Sequence, residues 1–489
     1  MSRPDPDSAF DPAPYADRRR RLLAHMRARG GGAAVLATAP VALRNRDAAY
    51  PYRHDSDFHY LTGFAEPEAW VVLVAGREDR AILFCRPRSE QDEIWEGLRC
   101  GPEAAAGRYG FDEAWPVDEL DARLPELLAG LPAVYAPLGT DPAAARLHGW
   151  LARARELARG ARPVPSAWHD LRAVTAGMRL VKDASEQDVM RRAADIAAAA
   201  HLRAMRAARP GLREYEIEAE LLYEFRRRGA QAPAYESIVA AGANACILHY
   251  PAGDAVLRDG ELLLIDAGCE LDGYASDITR TFPVGGRYSG PQRTLYDLVL
   301  AAQEAAVAAT APGRGCDDGH DAAVRVLAQG MLDEGLLSGS LDGVLESGAY
   351  RRFYMHRTGH WLGRDVHDVG SYREEAGATP DGSGSRDAGS HSGSNSGGNG
   401  NDAGDGKAGG AGLPWRRLVP GMVLTIEPGI YVRAADDVPE RFHGIGIRIE
   451  DDALVTETGC ELISRGVPVR AEDIEAVMRE AKAAGREAG

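Results

Sequence analysis

Six cysteines in 489 residues, none of them in a C-x-x-C pair, leave neither a disulfide framework nor a zinc ribbon to build on. Cys85, Cys100, Cys246, Cys269, Cys316 and Cys460 stand far apart, which fits reduced thiols in a cytoplasm. Basic residues are also short: 57 Lys and Arg against 73 Asp and Glu give a formal net charge of −16. No nucleic-acid partner is expected, because phosphate binding needs surplus cations on at least one face, whereas metal cations are attracted by acidic clusters. No apolar run approaches the roughly 18 residues of a membrane span. The N-terminus MSRPDPDSAFDPAP lacks an apolar signal region, so neither membrane insertion nor secretion is expected. H-E-x-x-H and G-x-x-x-x-G-K-[ST] are absent, and GIGIRIE is a poor dinucleotide fingerprint because a second strand follows it.

What is present reads as two domains, since the chain is too long for one ordinary core. Over 1–177, short β-rich runs (AAVLA, WVVLVAG, AILFCR, AVYAP) alternate with helical stretches, which predicts a smaller α/β domain. A larger domain over 178–489 opens with a long helix rich in Ala, Arg, Glu and Leu. Within it, 376–412 is dominated by Gly, Ser, Asn and Asp, and nothing apolar there repays the cost of ordering; it reads as a disordered surface insert.

The larger domain reads as one unit built twice. A helix ends at Arg209-Pro210-Gly211, a second runs through EYEIEAELLYEFRRRGA, and the strand DGELLLIDAG follows. A helix then ends at Ala311-Pro312-Gly313, another runs through DAAVRVLAQGMLDEGLL, and the strand PGMVLTIEPG follows. Superimposing the strands puts Gly260 on Gly421, Asp266 on Glu427 and Gly268 on Gly429, with an acid at the same place in each copy.

Asp266 ends an apolar strand at the rim of a buried sheet, and Asp277 follows eleven residues later, beyond the hairpin signal Asp272-Gly273. A hairpin of that length brings the two acids together, although it also fits two independent solvated acids. In GIGIRIEDD, alternation puts Ile445, Ile447 and Ile449 on one face and Gly444, Gly446, Arg448 and Glu450 on the other. Four convergent carboxylates repel one another unless cations neutralise them, and two divalent ions match the charge. His249, His356, His360 and His367 complete the inventory. Any one of them alone reads as a satisfied core residue. Thr358-Gly359 argues against a regular helix carrying an i, i+4 histidine pair, so one ligand is expected in that segment rather than two.

The series IDAG, SDITRTFPV, MHRTGHWLGRDVHD, LTIEPGIY and GIGIRIEDD resembles the Xaa-Pro aminopeptidases (aminopeptidase P) of the pita-bread metallopeptidases, relatives of methionine aminopeptidase, prolidase and creatinase. PYRHDSDFHYLTGFAEPEA is similar to that family's N-terminal domain, so the resemblance spans nearly the whole chain apart from the insert. It implies an α+β fold, with a duplicated C-terminal pita-bread domain behind a smaller α/β N-terminal one. It also implies a metal-dependent exopeptidase that releases the N-terminal residue from peptides with proline at position two. In that family's mechanism Asp266, Asp277, His360, Glu427 and Glu450 hold two divalent ions, bridged by Asp277 and Glu450, and a bridging hydroxide attacks the bond before proline. The oxygen-rich donor set favours Mn²⁺. Glu427 handles the proton, His249 and His367 bind substrate and stabilise the oxyanion, His356 lines the proline pocket, and Arg448 anchors the carboxylates. Because proline nitrogen has no hydrogen, a pocket shaped to its ring must select it. The resemblance further implies a homotetramer, with a dimer as alternative, in which Asp47 and Trp95 reach a neighbouring subunit's active site. Prolidase action on Xaa-Pro dipeptides is the nearest alternative. A non-catalytic binding domain is a more distant one, since every ligand position is filled.

Overall fold

The computed structural model describes residues 10–139, 142–374 and 413–487, and the chain divides into two compact units between Arg179 and Leu180. The insert read at 376–412 lies outside the described residues.

The first unit holds a six-stranded sheet of β1 (Gly32–Ala37), β2 (Trp70–Ala75), β3 (Asp79–Cys85), β4 (Glu113–Pro116), β5 (Ala133–Ala136) and β6 (Ala167–Asp170), in the order β4-β3-β2-β1-β5-β6. The central strands β1, β2 and β3 run antiparallel and the outer ones join in parallel. Both faces of β2 are buried: Val71, Leu73 and Ala75 enter one core, while Trp70, Val72 and Val74 enter another. That two-sided burial explains why WVVLVA is apolar throughout rather than alternating.

The second unit contains β7 (Ala232–Pro233), β8 (Ile238–Ala241), β9 (Leu262–Asp266), β10 (Cys269–Leu271), β11 (Tyr274–Ala275) and β12 (Thr279–Pro283), then β13 (Val423–Ile426), β14 (Gly429–Val432), β15 (Ile445–Arg448), β16 (Asp451–Val455) and β17 (Cys460–Leu462). Two helix pairs accompany them, Ala184–Ala207 with Glu214–Arg227 and Gly290–Ala309 with Asp318–Asp333. Capping boxes start the first helix of each pair: Asp183 with Glu186, and Ser289 with Gln292. Gly260 and Gly421, which the sequence superimposes, enter their strands at φ of +85° and +91°, a backbone region that side chains with a Cβ rarely adopt.

Each half forms one long antiparallel hairpin, broken in its middle. In the first, β9 pairs with β12 (Thr279 opposite Asp266) and the same register resumes between β10 and β11 (Glu270 opposite Ala275). Asp272 and Gly273, at φ of +50° and +75°, turn its tip. In the second, β13 pairs with β16 (Ile426 opposite Asp451) and the register resumes between β14 and β15 (Gly429 opposite Arg448). Asp277 falls in the first gap, and Glu427 and Glu450 in the second. The register runs on through both gaps, with the Ala267 N–H donating to Ile278 O (3.0 Å) and the Ile449 N–H to Pro428 O (3.3 Å), so these acids keep the facing that alternation along each strand gives them. The bridge from Thr279 to Glu450 joins the two halves there.

Candidate metal centre and active site

Beside each gap runs an edge segment that delivers one more side chain. In the first half, β8 lies along β9 with Ile238 opposite Asp266, and the Ala234 N–H donates to Gly268 O (3.0 Å). This places the Tyr235 hydroxyl between two acids: it donates to Asp266 Oδ1 (2.6 Å) and contacts Asp277 Oδ1. In the second half, the segment around residues 358–362 lies along β13. The Thr425 N–H donates to His360 O (2.9 Å), the Glu427 N–H to Thr358 O (2.7 Å) and the Leu362 N–H to Val423 O (3.0 Å). The His360 N–H returns a bond to Thr425 Oγ1 (3.1 Å), and the His360 imidazole is thereby aimed at the acids.

His360 Nε2 lies 3.4 Å from Asp277 Oδ2 and 3.8 Å from Glu427 Oε1. Asp277, His360 and Glu450 each offer a ligand atom, all within 4.8 Å of one another. Glu450 Oε2 accepts from Thr279 Oγ1 (2.6 Å). Arg448 donates through Nη2 to Asp266 Oδ2 (2.6 Å), through Nε to Thr279 Oγ1 (3.1 Å), and through Nη1 to Tyr431 Oη (3.0 Å). All five residues of the expected ligand set therefore surround one space.

Burial, then Asp266, raises the Asp277 carboxyl above its ordinary range, and burial, then Asp277 and Glu427, carries Glu450 well above it. Burial likewise pushes Glu427 up to about 7, against the pull of His360 and Arg448. Burial also opposes protonation of His360, but Asp277 and Glu427 overcome it and hold the imidazole at about 9. The protein alone would thus load this space with protons to relieve crowded negative charge, and that is the situation divalent cations correct. The oxygen-rich donors with one imidazole fit such ions.

The remaining histidines divide. His356 sits at the side of the centre, its Nε2 2.8 Å from Tyr431 Oη and its Nδ1 3.8 Å from Glu427 Oε2; burial, then Arg448, holds it down at about 3. The His367 ring lies 4.3 Å from that of His360. Desolvation, then His360 and His249, keeps His367 at about 4, so His249 shares that neighbourhood. Asp47 and Trp95 belong to the first unit, where both are exposed, Trp95 by 85%.

Tyr235, Thr279, Thr425, Tyr431 and Asp452 were not singled out by the sequence reading. Thr279 carries a signal, since alternation from Asp277 puts it on the same face. Asp452, buried beneath the centre, accepts from the Asp277 N–H (3.2 Å), an arrangement that only the packed halves reveal.

The description "Metallopeptidase family M24" matches residues 188–457, and "Aminopeptidase P, N-terminal domain" matches residues 15–135. The chain is 41% identical over 471 residues to the Xaa-Pro aminopeptidase of Escherichia coli, covering 96% of this chain and 98% of that one. The structure of Pseudomonas aeruginosa aminopeptidase PepP superimposes with a TM-score of 0.87 at 46% identity, over 97% of this chain and 99% of that one. A zinc-substituted aminopeptidase P from Escherichia coli, solved in complex with product, superimposes with a TM-score of 0.85 at 40% identity, over 97% and 99%. Matched along both units and over almost its whole length, the chain belongs to the aminopeptidase P branch of metallopeptidase family M24.

Proposed function

We propose that this protein is a metal-dependent aminopeptidase that removes the N-terminal residue from peptides whose second residue is proline. The observation that carries this reading is the meeting of Asp266, Asp277, His360, Glu427 and Glu450 where the two hairpins break, in a chain of this family. Those five residues would hold two divalent ions, with Mn²⁺ favoured by the oxygen-rich donors. Bound there, such ions supply Lewis acidity and lower the pKa of water toward neutrality.

The chain's own groups manage the rest. Glu427 takes the proton given up as water adds to the carbonyl before proline, and returns it to the proline nitrogen as the C–N bond breaks. His249 and His367 bind the substrate and steady the developing oxyanion, while His356 lines the space for the proline ring. Arg448 fixes Asp266 and, through Thr279, the strand that meets Glu450.

The chain works as a homotetramer in which Asp47 and Trp95 complete a neighbour's site; the exposed Ile94, Trp95 and Leu98 support an interface there. Six free thiols support a cytoplasmic setting. No helix among the described residues is long and apolar enough to cross a membrane.

The test is turnover of an Xaa-Pro-Yaa tripeptide beside an Xaa-Pro dipeptide, on chelator-stripped protein with Mn²⁺ returned. Metal-dependent release of the first residue from the tripeptide is expected. Cleavage of the dipeptide alone would make the protein a prolidase, and no turnover with any divalent ion would overturn an enzymatic reading.

A further inference from the structure

Glu214 is the first residue of the helix Glu214–Arg227 and is fully buried, at 0% exposure, yet it belongs to no ion pair among the described residues. Its partners are all neutral donors on one loop. Oε1 accepts from the Ala241 N–H (2.8 Å) and Asn244 Nδ2 (3.0 Å). Oε2 accepts from Tyr250 Oη (3.0 Å) and the Gly253 N–H (3.1 Å). One oxygen therefore holds the limb that leaves β8, and the other holds the limb that returns. Asn244 Nδ2 also donates to Tyr250 Oη (3.0 Å), closing the two limbs on each other. His249 lies between them, exposed, one residue before Tyr250.

The same loop is anchored on its far side. Arg433 Nη2 donates to Cys246 O (3.0 Å), and β15 touches the loop at Gly446, where an added Cβ would fall within van der Waals radii of the Ala245 backbone. β15 ends in Arg448, which holds Asp266. Glu214 thus sits at the first turn of its helix with both side-chain oxygens filled by donors from the loop.

We propose that Glu214 is a positioning residue for His249: its carboxylate clamps both limbs of loop 241–253 and so fixes the imidazole where substrate binds. This rests on the reading of His249 as a substrate-binding group. Glu214→Gln keeps the shape but turns one acceptor into a donor that faces donors, so the limb it held is released. Tyr250→Phe removes one of the four bonds and is the milder variant should the first fold poorly.

The experiment measures kcat and KM for a Xaa-Pro-Yaa tripeptide on Mn²⁺-loaded wild type, Glu214→Gln, Tyr250→Phe, His249→Ala and the Glu214→Gln/His249→Ala double variant, with hydrogen exchange of loop 241–253 followed on the same samples. The expected result is a fall in kcat/KM of roughly 10-fold or more in Glu214→Gln, smaller in Tyr250→Phe, with bound metal unchanged. In the His249→Ala background Glu214→Gln should add little, because both changes remove one function. The Ala241 and Gly253 amides should exchange faster in Glu214→Gln. Wild-type kcat/KM in folded Glu214→Gln, or losses that multiply fully with His249→Ala, would overturn the proposal. Should wild type itself fail to turn over, the functional reading fails, and unchanged exchange of the two amides would then overturn the clamp separately.

Discussion

The two halves of the second unit solve the same problem with different chemistry. Each lays an edge segment beside a strand that leads into an acid, Asp266 at the end of β9 and Glu427 just past β13, and each breaks its hairpin there. The first edge delivers a hydroxyl, Tyr235, which ties Asp266 to Asp277, and Arg448 adds a cation on Asp266. The second edge delivers an imidazole, His360, and the Glu427 carboxylate accepts only a long bond from Thr425 Oγ1 (3.5 Å) among the described residues. On the proposed reading Asp266, held by Tyr235 and Arg448, anchors the centre, while Glu427 carries the proton. On that reading the differing edge residues separate anchoring in the first half from proton transfer in the second.

A histidine stands behind each acid as well, His201 fully buried and His320 half-buried. His201 Nε2 lies 3.0 Å from Ala267 O, next to Asp266, and His320 Nδ1 lies 2.8 Å from Thr358 Oγ1, whose residue accepts the Glu427 N–H. Burial holds both imidazoles near 4, so both are neutral supports for the backbone beneath the centre.

The largest expected effect falls on the second half. Glu427→Ala should lower kcat by at least about 10³-fold with circular dichroism unchanged, since on the proposed reading it removes both a ligand and the proton carrier. Activity within tenfold of wild type would erase the proposed division of labour.

Much of this arrangement was legible in the sequence because it rests on local pattern. Gly260 and Gly421 announced the repeat, and Asp266 and Glu427 stood at matching places in it. Arg448 and Glu450 followed from alternation within one strand. The choice among histidines was not legible from the residues without the family resemblance. The segment around His360 has no helix or strand of its own and takes its course from hydrogen bonds to Thr425, 65 residues away. Tyr235 went unseen for the same reason: its partners lie 31 and 42 residues along the chain, and a tyrosine in APAYES carries no local mark of either.

A smaller loss is expected from the first half. Tyr235→Phe should weaken metal affinity by about 10- to 100-fold, read by chelator competition, as loss of a partner that orients a ligand does elsewhere. Thr279→Val tests the seam between halves and should weaken metal binding less, because Thr279 donates to one acid whereas Tyr235 touches two. If Thr279→Val proved the more damaging, anchoring would belong to the seam rather than to the first half.

The smallest effect concerns pH. His201 and His320 have folded-state values below the unfolded value of about 6.5, so the unfolded chain binds more protons and stability falls as pH drops from about 6.5 toward 4. Each histidine contributes up to about 1.4 kcal/mol per pH unit across that window. Urea unfolding at pH 7 and pH 5 should show the loss, and His201→Gln should remove part of the difference. An equal loss in His201→Gln would mean that this support is not a source of the pH dependence.

The most direct test of two converging acid sets is electron paramagnetic resonance of chelator-stripped protein reloaded with two equivalents of Mn²⁺. A spin-coupled pair of ions, reduced to an isolated ion or none in Asp277→Ala, is the predicted result. Independent, uncoupled Mn²⁺ in the wild type, or no binding at all, would contradict it.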